Sequence, residues 1–372
     1  MMNKAIEKAF GMREDPKMAK QSKHYEDFNK TVKDLVLNAG AVDVGVVTTE
    51  TLEGGPPSTD LSYVLEGAKS AVVFALPLDQ EKIERYLKKE DFYGQNRDNV
   101  RTNTLVSGIA LELARFLEMK GQTAVPVAAN GVYRKDTPRG PFDEKPPISH
   151  RYLAVRAGLG HFGFSGNVIR KKDGAAVILG SVVTDAELTP TDPLPPEENY
   201  CDDCRLCLSA CPSGLMHPDE KTTVTLGGVE FSYARRRSYN RCDYVCGGFT
   251  GLSKSGKWST WSPARFPIPD RDEAFLEAIR NTIKPYAYRP KPGIGFYNPL
   301  LPGNKGQLTC CHCQFICHPD KEVRKNRFNM VTKSGVVIQL DDGSLKAVSP
   351  EEALEHLASM SPDRRALYEN AT

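Results

Sequence analysis

The spacing of Cys201, Cys204, Cys207 and Cys211, closed by Pro212, constrains this chain more than any other feature. Intervals of three, three and four residues ending in Cys-Pro form the bacterial two-cluster ferredoxin run. In that run three thiolates hold one 4Fe–4S cluster and the fourth crosses to a second. Cys310, Cys313 and Cys317 supply three further thiolates, and either Cys242 or Cys246 completes the second set. Crossed ligation groups Cys201, Cys204 and Cys207 with Cys317, and Cys211 with Cys310, Cys313 and, preferred over Cys246, Cys242. Cys311 stands beside a ligand on a backbone that aims one of two neighbours inward, and reads as a bystander.

Other uses of these thiols fit less well. Zinc ribbons need two separated Cys pairs and have no use for a third cysteine at the same interval or for a trailing Cys-Pro. A disulfide framework belongs to secreted chains with a signal peptide, whereas all ten cysteines here lie beyond residue 200 and most of the chain has none. The thiols therefore read as metal ligands in a reducing compartment.

With 372 residues, 40% of them hydrophobic, the chain is long enough for two domains or one large one. A net charge of +2 neither demands nor excludes a nucleic-acid partner. No run of eighteen apolar residues predicts a membrane span. The basic segment 1–24 lacks a twin-arginine pair and an apolar stretch, which predicts a surface tail and a cytoplasmic protein.

Along the chain, the spacing of Phe28, Val32, Leu35 and Val36 predicts a helix over 24–39, followed by a strand over 41–47. The run AVVFALPL predicts a buried strand within 69–78, and Leu105, Ile109, Leu113, Phe116 and Leu117 predict an amphipathic helix over 103–119. Strands over 123–128 and 174–184, with a helix over 149–157 between them, continue an α/β alternation. The Pro-rich stretch 189–199 reads as a boundary or an ordered strap. Domains are thus expected at 25–190, at 191–330 with the cysteines, and at 331–372, where a hairpin around Asp342-Gly343 precedes a helix capped at Ser349. The stretches 247–269 and 288–306 are long for connections and predict lids or binding loops, with Trp258 and Trp261 either facing a substrate or anchoring the loop. The basic runs 235–237 and 321–327 are candidates for contact with RNA phosphates or with an acidic donor protein.

Just upstream of the cysteines stands ISHRYLAVRAGLGHFGFSGNVIRKKDGAAVILGSVVTDAEL, at 148–188. The order AGLG, strand, ferredoxin run resembles the family of cobalamin-dependent iron–sulfur reductases that contains epoxyqueuosine reductase and the reductive dehalogenases. The similarity runs over roughly 25–330, with motif-specific residues at 157–160, at 180–185 and in the cysteine groups.

The resemblance implies a mixed α/β (α+β) fold, a nitroreductase-like corrinoid-binding core joined to a ferredoxin-like domain with two 4Fe–4S clusters. It implies a base-off cobalamin without a protein histidine on cobalt, reduced to cob(I)alamin by electrons from an external ferredoxin or flavodoxin. The implied reaction is reductive removal of an oxygen, halide or related group, from a small molecule in preference to transfer RNA.

By position, Gly158, Gly160, His161, Gly163, Ser165 and Asn167 would line the corrin. Epoxyqueuosine reductases commonly carry tryptophan and Gly-Lys-Asn where this chain has His161 and Gly163-Phe164-Ser165. The proton donor falls on Asp143 or Glu144 by analogy with epoxyqueuosine reductase, or on Tyr133 with Arg134 by analogy with the dehalogenases. Two rival readings use the same clusters: a corrinoid-free electron-transfer protein, and a reductive activator of a corrinoid methyltransferase.

Overall fold

The computed structural model describes residues 16–129, 132–290, 296–298, 301–306 and 308–370. Most of the basic segment 1–24 and much of the 288–306 stretch lie outside these residues.

The run read as a buried strand is β2 (Ser70–Pro77), flanked by β1 (Asp43–Thr48) and β6 (Val177–Thr184), with β3 (Ala124–Val127) at the far edge of a four-stranded sheet. Successive side chains of a strand point to opposite faces. Val72, Phe74 and Leu76 accordingly enter one core, while Ala71, Val73 and Ala75 enter another. Both faces are covered, which explains why β2 reads as an unbroken apolar run.

All three pairings in this sheet are antiparallel. The alternation of helices and strands along the sequence therefore gives a mixed α+β sheet without parallel neighbours.

One face carries α1 (Pro16–Asn38) through Val32 and Val36, and α3 (Phe92–Met119) through Val106, Ile109, Ala110, Leu113 and Leu117. Helix α3 starts well before residue 103. Asp91 caps it by accepting the N–H of Gly94 at 2.8 Å, and its first half buries polar side chains: Gln95, Asn96, Asp98, Asn99, Thr102 and Asn103 are each at most 3% exposed. An apolar stripe cannot announce such a segment. Between β2 and α3 lies the short helix α2 (Gln80–Leu87).

The opposite face carries α4 (His150–Arg156) through Leu153 and Val155, and the hairpin of β7 (Met216–Leu226) and β8 (Val229–Arg236) through Phe231 and Tyr233. Between them the two-residue strands β4 (His161–Phe162) and β5 (Val168–Ile169) pair antiparallel.

The cysteine half adds α5 (Leu206–Ser209), α6 (Asn240–Cys246), α7 (Phe275–Tyr288), α8 (His312–Phe315) and α9 (Lys321–Thr332). Strands β9 (Phe296–Asn298) and β10 (Leu301–Gly306) pair with each other, as do β11 (Val336–Gln339) and β12 (Leu345–Val348). The last of these pairs is the hairpin expected at Asp342-Gly343. Helix α10 (Pro350–Ala358) follows with the capping box Ser349/Glu352.

The apolar core does not stop at residue 190. Trp258, Trp261, Phe315, Ile316, Val331 and Val337 share one core with α1 and α3. The Pro-rich stretch is an ordered strap, since Thr191 N–H donates to Val46 O at 2.9 Å and Thr189 N–H to Asn29 Oδ1 at 2.7 Å.

One expectation is corrected here. Trp258 and Trp261 do not face a substrate: they are 6% and 3% exposed, and Trp261 Nε1 donates to Tyr86 O at 3.0 Å between the rings of Tyr86 and Phe92. Trp261→Ala is expected to cost about 3–5 kcal/mol of unfolding free energy through the cavity it leaves, measurable by denaturant titration. Each basic run is split, with Arg235, Lys321 and Lys325 exposed and other side chains turned inward. Arg236 donates to Ser165 O and Asn167 Oδ1, Arg324 to Asp202 and His318 O, and Arg327 to Phe315 O and Gln80.

Candidate redox site

Two loops of the same form present the cysteines. In Cys204-Arg205-Leu206-Cys207 and Cys310-Cys311-His312-Cys313 the second residue is left-handed, with φ of 58° at Arg205 and 59° at Cys311. A one-turn helix follows in each case, α5 and α8. Such backbone is uncommon outside glycine and persists where surrounding structure holds it.

The thiols fall into two groups, and all ten are free. Cys317 lies near Cys207, Cys201 and Cys204, and Cys313 of the other loop is also close to Cys207 and Cys317. Cys211 lies in that of Cys310 and Cys313, which are joined from α6 by Cys246 and, one turn earlier, Cys242. Burial pushes the Cys207 thiol up to about 12 and Cys313 to about 11, and the neighbouring sulfurs push the same way.

Buried sulfurs this close become thiolates together only around compensating positive charge. N–H groups already point at them: Phe164 N–H to Cys201 Sγ at 3.2 Å, Leu215 N–H to Cys211 Sγ at 3.5 Å and Asn167 Nδ2 to Cys313 Sγ at 3.8 Å. Among the described residues, no three Cys, His or carboxylate side chains converge on one metal-ion position. Thiolates spread around a four-iron cube do not need to, so the donor set fits a pair of 4Fe–4S clusters.

The second group is fuller than expected. Cys311 lies beside this group, its Sγ 3.6 Å from Cys246 Sγ.

The residues assigned to a corrin face are occupied by protein. A Cβ on Gly158, whose φ is +76°, would fall 2.4 Å from Asp192 O in the strap, and one on Gly160 would fall 2.5 Å from Ile169 O. Gly163 packs on the Ile169 side chain, and His161 donates from Nε2 to Pro195 O at 2.9 Å. Ser165 is buried and takes the N–H of Asn167, whose Oδ1 accepts from Arg236. These glycines admit close approach of the chain itself. The Cβ sides of these glycines are filled by the chain itself, and the segment aims Phe164 N–H and Asn167 at cysteine sulfurs.

Of the proton-donor candidates, the structure brings together Glu144 and Tyr133 and separates Arg134 and Asp143 from them. Glu144 shares a hydrogen bond with Asp243, next in the chain to Cys242, and burial raises both carboxyls above their ordinary range. A carboxyl–carboxyl hydrogen bond requires a proton on one partner. Tyr133 lies against this pair. Desolvation of its hydroxyl, then the charges of Asp243, Glu144 and Cys242, push its phenol up, although the residue as a whole is 37% exposed.

Tyr239 completes the cluster. Burial alone would raise it, but Arg151 and Arg236, which donate to its hydroxyl at 3.1 and 3.0 Å, bring it down to about 8. Sequence reasoning missed Asp243 and Tyr239. The available signal was their position on the same helical segment as Cys242 and Cys246.

Arg134 is structural. It forks onto Asp136 at 2.7 and 2.9 Å, donates to Pro57 O at 2.8 Å and stacks 3.6 Å from the Tyr63 ring centroid. Arg134→Ala should lower unfolding free energy by about 1–3 kcal/mol in a thermal melt, with iron content unchanged. Asp143 pairs with Arg139 at 2.7 Å and accepts its N–H, which lowers the carboxyl and makes it a poor acid.

No protein-family model matches the chain. Among curated proteins, the epoxyqueuosine reductase of Gloeobacter violaceus is 29% identical over 171 residues, 43% of this chain and 45% of that protein. The epoxyqueuosine reductase of Vibrio cholerae is 38% identical over 121 residues, 28% of this chain and 32% of that one. The chain is similar in sequence to these epoxyqueuosine reductases. It spans less than half the length of these curated relatives. A solved epoxyqueuosine reductase with an epoxyqueuosine-modified tRNA stem loop has 16% identity and a TM-score of 0.41, over 91% of this chain and 74% of that one. Among the described residues, no helix is long and apolar enough to cross a membrane.

Proposed function

We propose that this chain is an iron–sulfur reductase that cleaves a carbon–oxygen, carbon–halogen or related bond in a small organic substrate held beside the second cysteine group. The observation that carries the reading is the carboxyl pair Glu144–Asp243, with Tyr133, set next to Cys242 of that group. Two 4Fe–4S clusters, held by Cys201, Cys204, Cys207 and Cys317 and by Cys211, Cys242, Cys310 and Cys313, supply single low-potential electrons from a ferredoxin or flavodoxin.

Cleavage of R–X consumes two electrons and one proton and yields R–H and X⁻. Glu144, raised by burial and by its hydrogen bond with Asp243, holds the proton with the Tyr133 phenol beside it, and the guanidiniums of Arg151 and Arg236 favour a developing anion at Tyr239. Transfer RNA remains the competing substrate class, because the curated relatives are named for a modified nucleoside.

The family resemblance adds a cobalamin as electron acceptor. A corrinoid-free reductase is the second reading, favoured by the filled faces of Gly158, Gly160 and Gly163.

Anaerobic purification with iron, sulfide and cobalt assayed in one sample tests both readings. About eight irons per chain are expected, together with dithionite-driven halide release from an aryl halide. Cobalt, or uptake of added cobalamin, selects the first reading, and eight irons with neither selects the second. A protein without iron, or one with iron but inert to every halide and epoxide offered, overturns the proposal.

A further inference from the structure

The second thiol group contains two sulfurs more than a four-iron cube takes. With Cys211, Cys242, Cys310 and Cys313 at its corners, Cys246 and Cys311 remain, 3.6 Å apart at Sγ.

The backbone does not call for cysteine at 311. Arg205 holds the same left-handed place in the sister loop, where its side chain lies over the Phe164 ring at 5.2 Å. Cys311 instead points at the end of α6. That contact is held by the neighbouring Thr309: its N–H donates to Cys246 O at 2.8 Å and its Oγ1 donates to Val245 O at 2.8 Å. Closing 3.6 Å to a bonded distance of about 2.05 Å needs a small side-chain movement.

We propose that Cys246 and Cys311 form a redox-active dithiol beside the second cluster that closes to a disulfide. The proposal rests on the two-cluster reading above with Cys242 as the fourth ligand. Its chemistry answers a mismatch in electron count, since clusters carry electrons singly and bond cleavage takes two. In the cleavage step, R–X and the two thiols give R–H, X⁻, one proton and the Cys246–Cys311 disulfide. The disulfide is reopened by two protons from water and two electrons, delivered one at a time through the clusters from a ferredoxin- or flavodoxin-type donor.

Mass mapping of alkylated cysteines in the anaerobic holoprotein tests this. Samples treated with diamide, a two-electron thiol oxidant, or with dithionite are denatured in iodoacetamide, digested and analysed beside an iron assay. The expected result is a linked Cys246–Cys311 peptide pair after diamide, its disappearance after dithionite, and unchanged iron in both. C311S and C311A should abolish the linked pair and keep the full iron content.

Cys246 and Cys311 both alkylated after diamide would overturn the dithiol. So would loss of about half the iron in C246S, which would make Cys246 the cluster ligand in place of Cys242. Wild-type protein that carries no iron overturns the two-cluster reading itself, and the dithiol with it.

Discussion

Replacing Cys317 with alanine is expected to remove the cluster held by Cys201, Cys204 and Cys207 and to spare the other, so that iron falls from about eight to about four per chain. Cys317 is distant from these three in sequence, and packing brings it back. A Cβ on Gly174, in left-handed backbone at φ +59°, would sit 2.4 Å from Cys317 O. Ala175 N–H donates to that same oxygen at 3.1 Å, and Gln314 Nε2 donates to Val177 O at 2.9 Å. The start of β6 therefore serves as the anvil on which the second loop is bent toward the first.

Cys211→Ala should do the reciprocal, losing the cluster of Cys310 and Cys313 although Cys211 stands only four residues from Cys207. Electron paramagnetic resonance of the dithionite-reduced variants distinguishes the two losses. If Cys317→Ala instead spares the cluster of Cys201, Cys204 and Cys207, ligation is uncrossed and the grouping is wrong. In either variant turnover should be abolished, because a substrate beside the second group depends on both clusters for its electrons.

These thiols were legible in the sequence because metal ligation imposes fixed intervals, as was β2, whose apolar run follows from burial on both faces. Less was legible wherever tertiary context overrode local pattern. The first half of α3 hides polar side chains such as Asn99 and Asn103, which hydrogen-bond to each other along the helix, so no stripe marks it. Trp258 and Trp261 sit in a Gly/Ser-rich stretch that reads as an exposed loop, yet aromatic partners from α2 and α3 draw Trp261 into the core. The Gly-rich AGLG segment suggested a ligand surface, whereas its glycines accommodate the strap and β5. For the acids, the sequence supplied neighbours without directions. Asp143 and Glu144 are adjacent, and only the left-handed backbone at Glu144, with φ of 51°, turns one of them toward Asp243 while the other caps toward Arg139.

Glu144→Gln preserves the size of that side chain and removes its proton. Turnover should fall about 10²–10⁴-fold, the range by which a positioned general acid contributes, with iron content unchanged. Asp143→Asn, the control, should leave turnover as it is, because its carboxyl is occupied by Arg139. The pH dependence fixes the assignment further. Burial raises the Glu144 carboxyl above the ordinary carboxylate range, so the acid form persists through neutral pH and is lost as pH rises through that raised value. The wild-type rate should therefore decline on the alkaline side, and the residual rate of Glu144→Gln should lack that limb. Stability obeys the same sign. The folded state holds this proton more tightly than the unfolded chain does, so its contribution is complete below the ordinary glutamate range and fades as pH rises toward the folded value. Relative to wild type, Glu144→Gln should thus gain melting temperature as the solution becomes alkaline. A variant that loses turnover but keeps the wild-type alkaline limb would move the proton to Tyr133.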